Sequence, residues 1–219
     1  MIPGARLVML GRQGAGKGTQ CTRLSRHFVV PHISTGDMLR AAVKEGTEFG
    51  RKAQEFMSAG ELLPDDVIIG IVEERLLKDD TRERGYILDG FPRTEEQAES
   101  LAEITAEQPL DMVVDLDVPT DVVLERLASR RVCKDCGANY SVQTPPKHNW
   151  TCDHCGGEVV QRDDDTEDAI KRRLALYEEE TAPLIDWYRK RDLLVVVDGD
   201  GDADQVTARL VRAIERARV

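Results

Sequence analysis

The amino-acid sequence predicts an α/β fold in which a parallel sheet is covered by helices on both faces. Short aliphatic and β-branched runs alternate along the chain with longer helical patterns. Near-continuous apolar runs of this kind are typical of strands that are buried on both sides. The predicted strands are RLVML (6–10), PHIS (31–34), YILDG (86–90), MVVDLDV (112–118) and LLVVVDG (193–199).

Three longer stretches have the pattern of helices, namely 18–27, 64–78 and 168–189. The second opens with Pro64 followed by acidic residues, which favour the first turn of a helix. In the third, Ile170, Leu174 and Tyr177 fall at helical spacing, and Pro183 is expected to bend or break the helix.

The composition is that of a soluble globular protein. The chain has 219 residues, of which 41% are hydrophobic and 32% are charged, and its net charge is −11. This acidic balance argues against a broad surface for nucleic acid or membrane, since both are anionic. No apolar run is long enough to span a membrane. MIPGARLVMLG lacks the layout of a signal peptide, and we therefore expect a cytoplasmic location.

The stretch GRQGAGKGTQ (11–20) lies between a predicted strand and a predicted helix, the context that a phosphate-binding loop requires. Its glycines let backbone N–H groups converge on phosphate oxygens, and Lys17 can reach the β- and γ-phosphates. Gly18 stands where the common pattern has a hydroxyl, so Thr19 is the substitute candidate near phosphate or metal. Cys21 follows inside the helix, where we expect a buried structural thiol rather than a reactive one.

The stretch YILDGFPRT (86–94) supplies a second group of candidates. Asp89 ends a strand, where a carboxylate can orient magnesium or its bound water, and Gly90 permits close approach of a backbone. Arg93 offers a bidentate fork for phosphate. Further arginines give an acidic protein the local positive charge that a site loaded with two sets of phosphates needs; they are Arg40, Arg126, Arg130, Arg131, Arg162 and Arg173.

Two C-x-x-C pairs stand 15 residues apart: Cys133 with Cys136, and Cys152 with Cys155. This spacing is typical of four-cysteine zinc sites, whereas a redox pair or disulfides are the alternative. His148 and His154 could also ligate a metal, but four thiolates already close a tetrahedral shell. The segment around the cysteines has few apolar residues, and we expect it to be an insert that depends on its metal.

Together these motifs resemble the adenylate kinases over nearly the whole chain. That family's phosphate loop reads G-x-x-G-x-G-K-G-T, to which GRQGAGKGT conforms. Gln13 replaces the proline usual in the family, for which we expect a slightly different loop entry without loss of function. The cysteine pairs look like the zinc-bearing lid of the long bacterial-type enzymes. HISTGDMLR, LLPDDVI, GYILDGFPRT, YEEETAPLIDWY and VDGDG also lie in the family's order.

The resemblance implies a P-loop NTPase-type core with a five-stranded parallel sheet flanked by helices, and two mobile inserts. The core would comprise residues 1–33, 64–129 and 168–219. An NMP-binding insert would cover 34–63 and hold the acceptor nucleotide, and a zinc-binding lid would cover 130–167.

The resemblance also implies the roles of individual residues. The catalytic residues would be Lys17, Arg93, Arg130, Arg162 and Arg173, with magnesium held through water by Asp89. ATP would be bound by Gly14, Ala15, Gly16, Lys17, Gly18, Thr19, Arg126, Arg130, Asn139, Tyr140 and Gly201. AMP would be bound by Thr35, Arg40, Glu61, Leu62, Leu63, Gly90, Phe91, Pro92, Arg93, Gln97, Arg162 and Arg173.

The implied reaction is the reversible, magnesium-dependent conversion of ATP and AMP into two ADP, which serves nucleotide homeostasis and biosynthesis. The implied protein is a cytoplasmic monomer that binds these nucleotides, Mg²⁺ and a structural Zn²⁺, but no nucleic acid and no membrane. One alternative is a kinase for UMP, CMP or GMP, although Thr35 and Gln97 favour adenine through the resemblance. A zinc-ribbon nucleic-acid binder or a P-loop regulator without turnover is a different class, disfavoured by the acidic charge.

Overall fold

The computed structural model describes residues 4–217, so residues 1–3 and 218–219, which we assigned to the core, lie outside the described residues. The predicted α/β fold with a five-stranded parallel sheet is confirmed, and the strand order is β2-β3-β1-β4-β8. The strands of this sheet are β1 Arg6–Leu10, β2 His32–Ser34, β3 Tyr86–Asp89, β4 Met112–Asp117 and β8 Leu194–Asp198.

Alternate residues of the central strands face opposite sides of the sheet, and each side has its own apolar cluster. Leu7 and Met9 of β1 belong to one cluster, whereas Val8 and Leu10 belong to the other. All four are buried, and helices cover both sides. Strand β1 has no polar face because it is buried on both sides, as its apolar run predicted.

Helices connect and cover these strands. The predicted helices at 18–27 and 64–78 correspond to α1 and α4, with ends that differ by one or two residues. Helices α4 and α6 belong to the same side of the sheet as α9, and α1 and α10 belong to the other. The helices are α1 Lys17–Phe28, α2 Thr35–Glu45, α3 Glu48–Ala59, α4 Asp65–Leu76, α5 Asp79–Arg84, α6 Glu95–Ile104, α7 Thr120–Ser129, α8 Glu167–Leu176, α9 Pro183–Arg189 and α10 Ala203–Ala217.

The interruption expected at Pro183 is confirmed. Helix α8 passes into a π-helical turn at Tyr177–Thr181, and α9 begins at Pro183. In the widened turn, Ala182 N–H donates to Tyr177 C=O at 2.7 Å. Because proline has no N–H and its ring crowds the preceding turn, the chain widens before Pro183 instead of continuing as a regular α-helix.

The segment 34–63 forms a helical hairpin of α2 and α3. Side-chain caps begin both helices: Ser34 Oγ accepts from Asp37 N–H at 3.2 Å, and Thr47 Oγ1 accepts from Gly50 N–H at 2.9 Å. A Cβ on Gly50 would lie 2.0 Å from Ala42 O, so only glycine lets the two helices approach this closely.

The segment that contains the cysteine pairs forms a separate antiparallel sheet of order β6-β5-β7. Its buried apolar cluster consists of Cys133, Cys152 and Val159, which agrees with the small core expected for this segment. Within residues 4–217, no helix combines the length and apolar character needed to cross a membrane. The strands of the second sheet are β5 Arg130–Cys133, β6 Asn139–Ser141 and β7 Val159–Val160.

Candidate phosphate-transfer site and metal centre

The glycine-rich loop connects β1, in the middle of the sheet, to the first turn of α1. Gly14 and Gly16 have φ angles of 87° and 100°, in the left-handed region that favours glycine. A Cβ on Gly14 would lie 2.8 Å from Leu127 Cγ, so the loop also packs tightly on α7. Since α1 begins at Lys17, its free N-terminal N–H groups lie at this loop, as an anion site requires.

Lys17 is folded over the loop that precedes it. Its Nζ donates to Gly11 O at 2.6 Å and to Arg12 O at 3.0 Å. Burial lowers the pKa of the Lys17 ammonium, and the charge of Asp89 opposes that effect. The lysine therefore sits in a pocket where an additional anion compensates its desolvation.

Asp89 ends β3, directly beside Met9 of β1, and is 8% exposed. Burial alone would raise the pKa of its carboxyl, but a 3.4 Å hydrogen bond with His32 and the charge of Lys17 outweigh burial and lower it. Asp89 is thus a buried carboxylate. A single carboxylate beside a phosphate loop is a donor set that suits Mg²⁺, which usually takes its other ligands from phosphates and water.

The predicted arginines of the lid and of α8 converge around two carboxylates. Arg130 Nε lies 2.7 Å from Asp165 Oδ2, and Arg173 Nη2 lies 2.6 Å from Asp164 Oδ2. Arg162 Nε lies 3.4 Å from Asp164 Oδ1. Burial lowers the pKa of Arg162 to about 10, and the charges of Arg40 and Arg130 add to that effect. Positive charge is therefore concentrated here beyond what the carboxylates neutralise.

Asp164 and Asp165 were not among our predicted site residues. The sequence contains the run Asp163–Asp165 directly after Arg162, and a charge run is usually a solvated surface. The structure instead buries the Asp165 side chain completely and leaves 13% of the Asp164 side chain exposed. These carboxylates hold the arginines in place, a role that the run of acids beside Arg162 could have indicated.

Gln13 contacts the same arginines. With its amide oxygen turned towards the guanidinium groups, Gln13 accepts from Arg173 Nη1 at 2.7 Å and from Arg130 Nη2 at 3.2 Å. The phosphate loop is therefore connected directly to the lid and to α8.

The second group of predicted residues surrounds Gly90. Arg93 Nε donates to Gly90 O at 2.8 Å, and Thr35 Oγ1 donates to the same oxygen at 2.9 Å. Phe91 and Pro92 are buried beside them. Burial and the nearby charges of Arg173 and Arg40 lower the pKa of Arg93, whereas Asp89 opposes them. The structure thus brings Thr35, Gly90 and Arg93 together, as predicted.

Gln97 is 2% exposed, and its amide is held at both ends. Its Oε1 accepts from Arg93 N–H at 2.8 Å, and its Nε2 donates to Asp65 Oδ1 at 2.7 Å. The other oxygen of Asp65 accepts from Thr94 Oγ1 at 2.8 Å. We had interpreted Asp65 only as an acid at the start of a helix, and nothing in its local sequence reveals this long-range contact.

The remaining predicted acceptor residues lie on or next to the helical hairpin. Arg40 pairs with Asp37 in the preceding turn of α2. Glu61 and Leu62 line an open cleft together with Asp65. Leu63 packs on the apolar cluster that contains Val8 and Leu10 of β1. This cleft is rich in carboxylates, which makes it unsuitable for phosphate.

Arg126 is the predicted donor-side arginine that the structure brings to the phosphate loop. Its Nη1 donates to Ala15 O at 3.1 Å and to Gly199 O at 3.3 Å, and Asp200 lies 3.8 Å away. Gly201 follows with a φ of 104°. Arg126 therefore connects the loop to the turn after β8.

Asn139 and Tyr140 lie on β6 of the second sheet. Asn139 is exposed, whereas the Tyr140 hydroxyl donates to Cys152 Sγ at 3.4 Å and accepts from Asp153 N–H at 2.8 Å. The hydroxyl of Tyr140 thus supports the cysteine cluster, a contact that our sequence analysis did not anticipate.

The sulfur atoms of Cys133, Cys136, Cys152 and Cys155 all lie within 4.8 Å of one another. The shortest separations are 3.4 and 3.5 Å, close to the roughly 3.8 Å between sulfurs that share a tetrahedral zinc ion. The hydrogen bond from Tyr140 lowers the pKa of Cys152 to about 6. The donor set therefore fits a closed Zn²⁺ site.

Each cysteine pair is followed by a glycine in the left-handed region, which closes a tight turn. Gly137 and Gly156 have φ angles of 71° and 78°. Their N–H groups donate to Cys133 O at 3.1 Å and to Cys152 O at 2.9 Å. Each tight turn thereby directs both sulfurs of its pair to one point.

A glycine-rich loop after the central strand of a parallel sheet, with a lysine at the start of the next helix and arginines converging nearby, defines a P-loop phosphotransferase. The adenylate kinase family model matches residues 9–193. The chain belongs to the adenylate kinase family, and it is accordingly a nucleoside monophosphate kinase.

Similar proteins match over nearly their whole length. An adenylate kinase of Archaeoglobus fulgidus is 49% identical over 215 residues, which cover 97% of this chain and 99% of the relative. An adenylate kinase of Moorella thermoacetica is also 49% identical, over 96% of this chain and 98% of the relative. One from Caldicellulosiruptor bescii is 48% identical over 95% and 98%.

Proposed function

We propose that this protein transfers the γ-phosphoryl group of ATP to AMP and forms two ADP, reversibly and with Mg²⁺. The observation that carries the proposal is the convergence of Lys17, Arg93 and the lid arginines on one region beside Asp89. Family membership supports the same reaction.

The phosphates of the donor nucleotide are assigned to Gly14–Thr19. Its base is assigned to Arg126, Asn139, Tyr140 and the Gly201 backbone. Loop conformation and the first turn of α1 support the phosphate assignment, and the bonds of Arg126 to Ala15 and Gly199 place it beside the loop. Mg²⁺ is assigned to Asp89, through bound water, with Thr19 as a further candidate nearby. When bound, Mg²⁺ supplies charge neutralisation at the phosphates.

The acceptor phosphate is assigned to Arg40, Arg93, Arg162 and Arg173. Arg162 Nε is buried and makes no hydrogen bond among the described residues, although it lies 3.4 Å from Asp164 Oδ1, and the lowered pKa of this guanidinium favours a further anion beside it. The rest of AMP is assigned to Glu61–Leu63, at the open cleft, and to Gly90–Pro92, which directly precede Arg93.

Selection of adenine is assigned to Thr35 and Gln97. The contacts with Arg93 and Asp65 fix which end of the Gln97 amide is oxygen and which is nitrogen. One N–H and one lone pair of the amide remain, and they match the ring-nitrogen acceptor and amino donor on adenine's edge. Guanine and uracil present a ring N–H beside a carbonyl oxygen and would leave the buried amide mismatched, whereas cytosine repeats the acceptor and donor pattern of adenine.

The chemistry needs positioning and charge neutralisation more than proton transfer. The AMP phosphate is already an anionic nucleophile, so no general base is required. Lys17 and the arginines neutralise charge on the migrating group and hold donor and acceptor in line. Catalysis is assigned to Lys17, Arg93, Arg130, Arg162 and Arg173.

Water is the competing acceptor, so two inserts that close over both nucleotides favour transfer over hydrolysis. We assign the mobile NMP-binding insert to 34–63 and the lid to 130–167, with the remaining residues as the core. The hairpin and the separate second sheet support these boundaries. Lys44 Nζ lies 3.8 Å from Asp135 Oδ1, so the two inserts touch across the site.

We assign Zn²⁺ to Cys133, Cys136, Cys152 and Cys155. Four sulfur ligands leave no position for substrate, and the metal is therefore structural. We further propose that the protein works as a cytoplasmic monomer on free nucleotides, without nucleic-acid or membrane partners. Its net charge of −11 supports the exclusion of anionic polymers and surfaces.

The test is a coupled assay of MgATP with AMP, UMP, CMP and GMP, on protein whose zinc content has been measured. AMP is expected to give the highest kcat/KM. A preference of about tenfold or more for another monophosphate would overturn the acceptor assignment. Filter binding of single-stranded RNA at moderate salt, expected to be negative, tests the nucleic-acid alternative.

A further inference from the structure

Three side chains that can ligate a metal come together where α1, β2 and β3 meet. Cys21 of α1, His32 of β2 and Asp89 of β3 each direct one ligand atom to a common region, and these atoms lie within 4.8 Å of one another. His32 Nε2 and Asp89 Oδ2 are 3.4 Å apart, and Cys21 is a free thiol. Three different elements of the core thus supply one sulfur, one nitrogen and one oxygen donor.

We propose that Cys21, His32 and Asp89 form a second metal site, separate from the lid, for a thiophilic divalent cation of the Zn²⁺ class. A thiolate, an imidazole and a carboxylate are the three ligand types that Zn²⁺ takes in proteins. A tetrahedral zinc ion separates its donors by roughly 3.3–3.8 Å, so donors that lie up to 4.8 Å apart must approach one another by up to roughly 1.5 Å. Three protein ligands leave the fourth position for water.

A buried thiol on a core helix is more commonly an ordinary packing residue, and Cys21 is indeed 0% exposed. Its surroundings distinguish it here, because an imidazole nitrogen and a carboxylate oxygen lie within 4.8 Å of its sulfur, and the charge of Lys17 also acts on it. The side chains of His32 and Asp89 are 16% and 11% exposed, which gives a cation a route to the thiol. On binding, the S–H bond breaks, its proton passes to solvent, and a metal–sulfur bond forms. His32 then ligates through Nε2, which replaces its hydrogen bond with Asp89.

Occupation of this site has a consequence for turnover, which rests on the proposed function. Asp89 is the residue assigned to Mg²⁺. Burial and the charge of Asp89 raise the pKa of the Cys21 thiol, whereas the charge of Lys17 opposes them and also acts on Asp89. A cation held by Asp89 removes that carboxylate from its assigned role and places more positive charge beside Lys17. The proposed site is therefore inhibitory.

Binding is measured on the full chain after its lid has been filled with zinc and free metal removed. Equilibrium dialysis against Zn²⁺ is expected to show a second ion per chain. Co²⁺, added to the same zinc-filled protein, is expected to give a thiolate-to-cobalt absorption band. The variants Cys21→Ala and His32→Gln should lose both signals. His27→Gln is the matched control because His27 lies on the exposed side of α1, 3.5 Å from Glu215, and it should retain them.

Cys21→Ser preserves the shape of the side chain if Cys21→Ala fails to fold, and it too should lose the cobalt band. The proposal is overturned if zinc-filled wild type takes up no further metal, or if Cys21→Ala and wild type bind it equally. In the activity arm, buffered Zn²⁺ under excess MgATP should inhibit wild type several-fold more than Cys21→Ala. Absence of turnover without added zinc would contradict the proposed function instead, since the binding measurements do not depend on it.

Discussion

With its amide oxygen turned towards the guanidinium groups, Gln13 accepts from Arg173 Nη1 at 2.7 Å and from Arg130 Nη2 at 3.2 Å. The phosphate loop thereby holds two like-charged guanidinium groups near each other, with Asp164 and Asp165 on their other sides. Proline, which the resemblance led us to expect at position 13, has no side-chain acceptor. Gln13 is therefore a neutral positioning residue for the arginine cluster, beyond the altered loop entry that we expected.

Replacing Gln13 by leucine should lower kcat/KM by about three- to tenfold, since hydrogen bonds to charged groups contribute about 1.5–3 kcal/mol and this site is partly solvated. Gln13→Glu should reduce it further, because a carboxylate competes with phosphate for both arginines. Steady-state kinetics of the two variants test this order. Unchanged kcat/KM in Gln13→Leu would mean that the contacts do not position the arginines.

Lys17→Ala should lower kcat by about 10²–10³ while the fold survives. The substitution removes one preorganised cation that stabilises the negative charge developing in the transition state. The lysine's own bonds, to Gly11 O and Arg12 O, are lost as well. Thermal unfolding provides the control for folding. A folded variant that retains most of its turnover would show that this loop is not the phosphate cradle.

Arg93→Ala should weaken the binding of AMP more than the binding of ATP, since Arg93 belongs to the cluster around Gly90 and Thr35. Separate titrations of the two nucleotides, followed by calorimetry, measure the difference. Equal losses for both nucleotides would place Arg93 between the substrates rather than on the acceptor.

Asp65→Asn should weaken the discrimination between AMP and other monophosphates. Asn can present its own amide nitrogen to Gln97 Nε2, which favours reversal of the buried Gln97 amide and mismatches adenine's edge. The measurement is the ratio of kcat/KM for AMP to that for UMP, CMP and GMP, with the KM for ATP unchanged. Asp66→Asn is the matched control, since Asp66 is the exposed neighbour on the same helix.

The sequence identifies the parts of this fold that depend on local patterns. The apolar runs were sufficient to predict the five strands. The spacing of the glycines was sufficient to predict the phosphate loop, and the spacing of the cysteines was sufficient to predict the four-cysteine cluster. Asp65 was missed because only the tertiary structure brings its partner near, whereas Asp164 and Asp165 were missed because a run of acids usually lies on a solvated surface. The Gln97 amide lies 32 positions along the chain from Asp65, so no local pattern connects them.

The observed boundaries of an element differ from the predicted ones where the backbone can accommodate the same residue in two ways. Pro183 indicated an interruption, but either a kink or a π-helical turn could satisfy it, and the chain takes the turn at Tyr177–Thr181. The hydroxyl of Tyr140 shows the same limit for side chains. The resemblance implied contact with the donor base, whereas the fold also directs that hydroxyl to Cys152.

Removal of the lid metal should destabilise the lid but leave the core folded. The second sheet buries only a small apolar cluster, around Cys133, Cys152 and Val159, which at about 25 cal/mol per Å² cannot offset its chain entropy. Structural zinc in isolated peptides contributes roughly 10–16 kcal/mol, an upper bound here because the core anchors both ends of the lid. Chelation, or Cys152→Ser combined with Cys155→Ser, should therefore lower the unfolding temperature.

Metal analysis of gently purified protein should give one zinc per chain in the lid, and the double serine variant should lose it. Some turnover should persist at low temperature, because the phosphate loop belongs to the core and not to the cysteine cluster. His154→Gln is the control variant, since His154 is exposed beside the cluster and four sulfurs already complete the shell. It should keep its zinc and melt like wild type. Protein purified without lid zinc, or a double serine variant that melts like wild type, would contradict a structural role for the metal. Loss of all chemistry from a lid that stays folded without metal would instead place the zinc in the reaction.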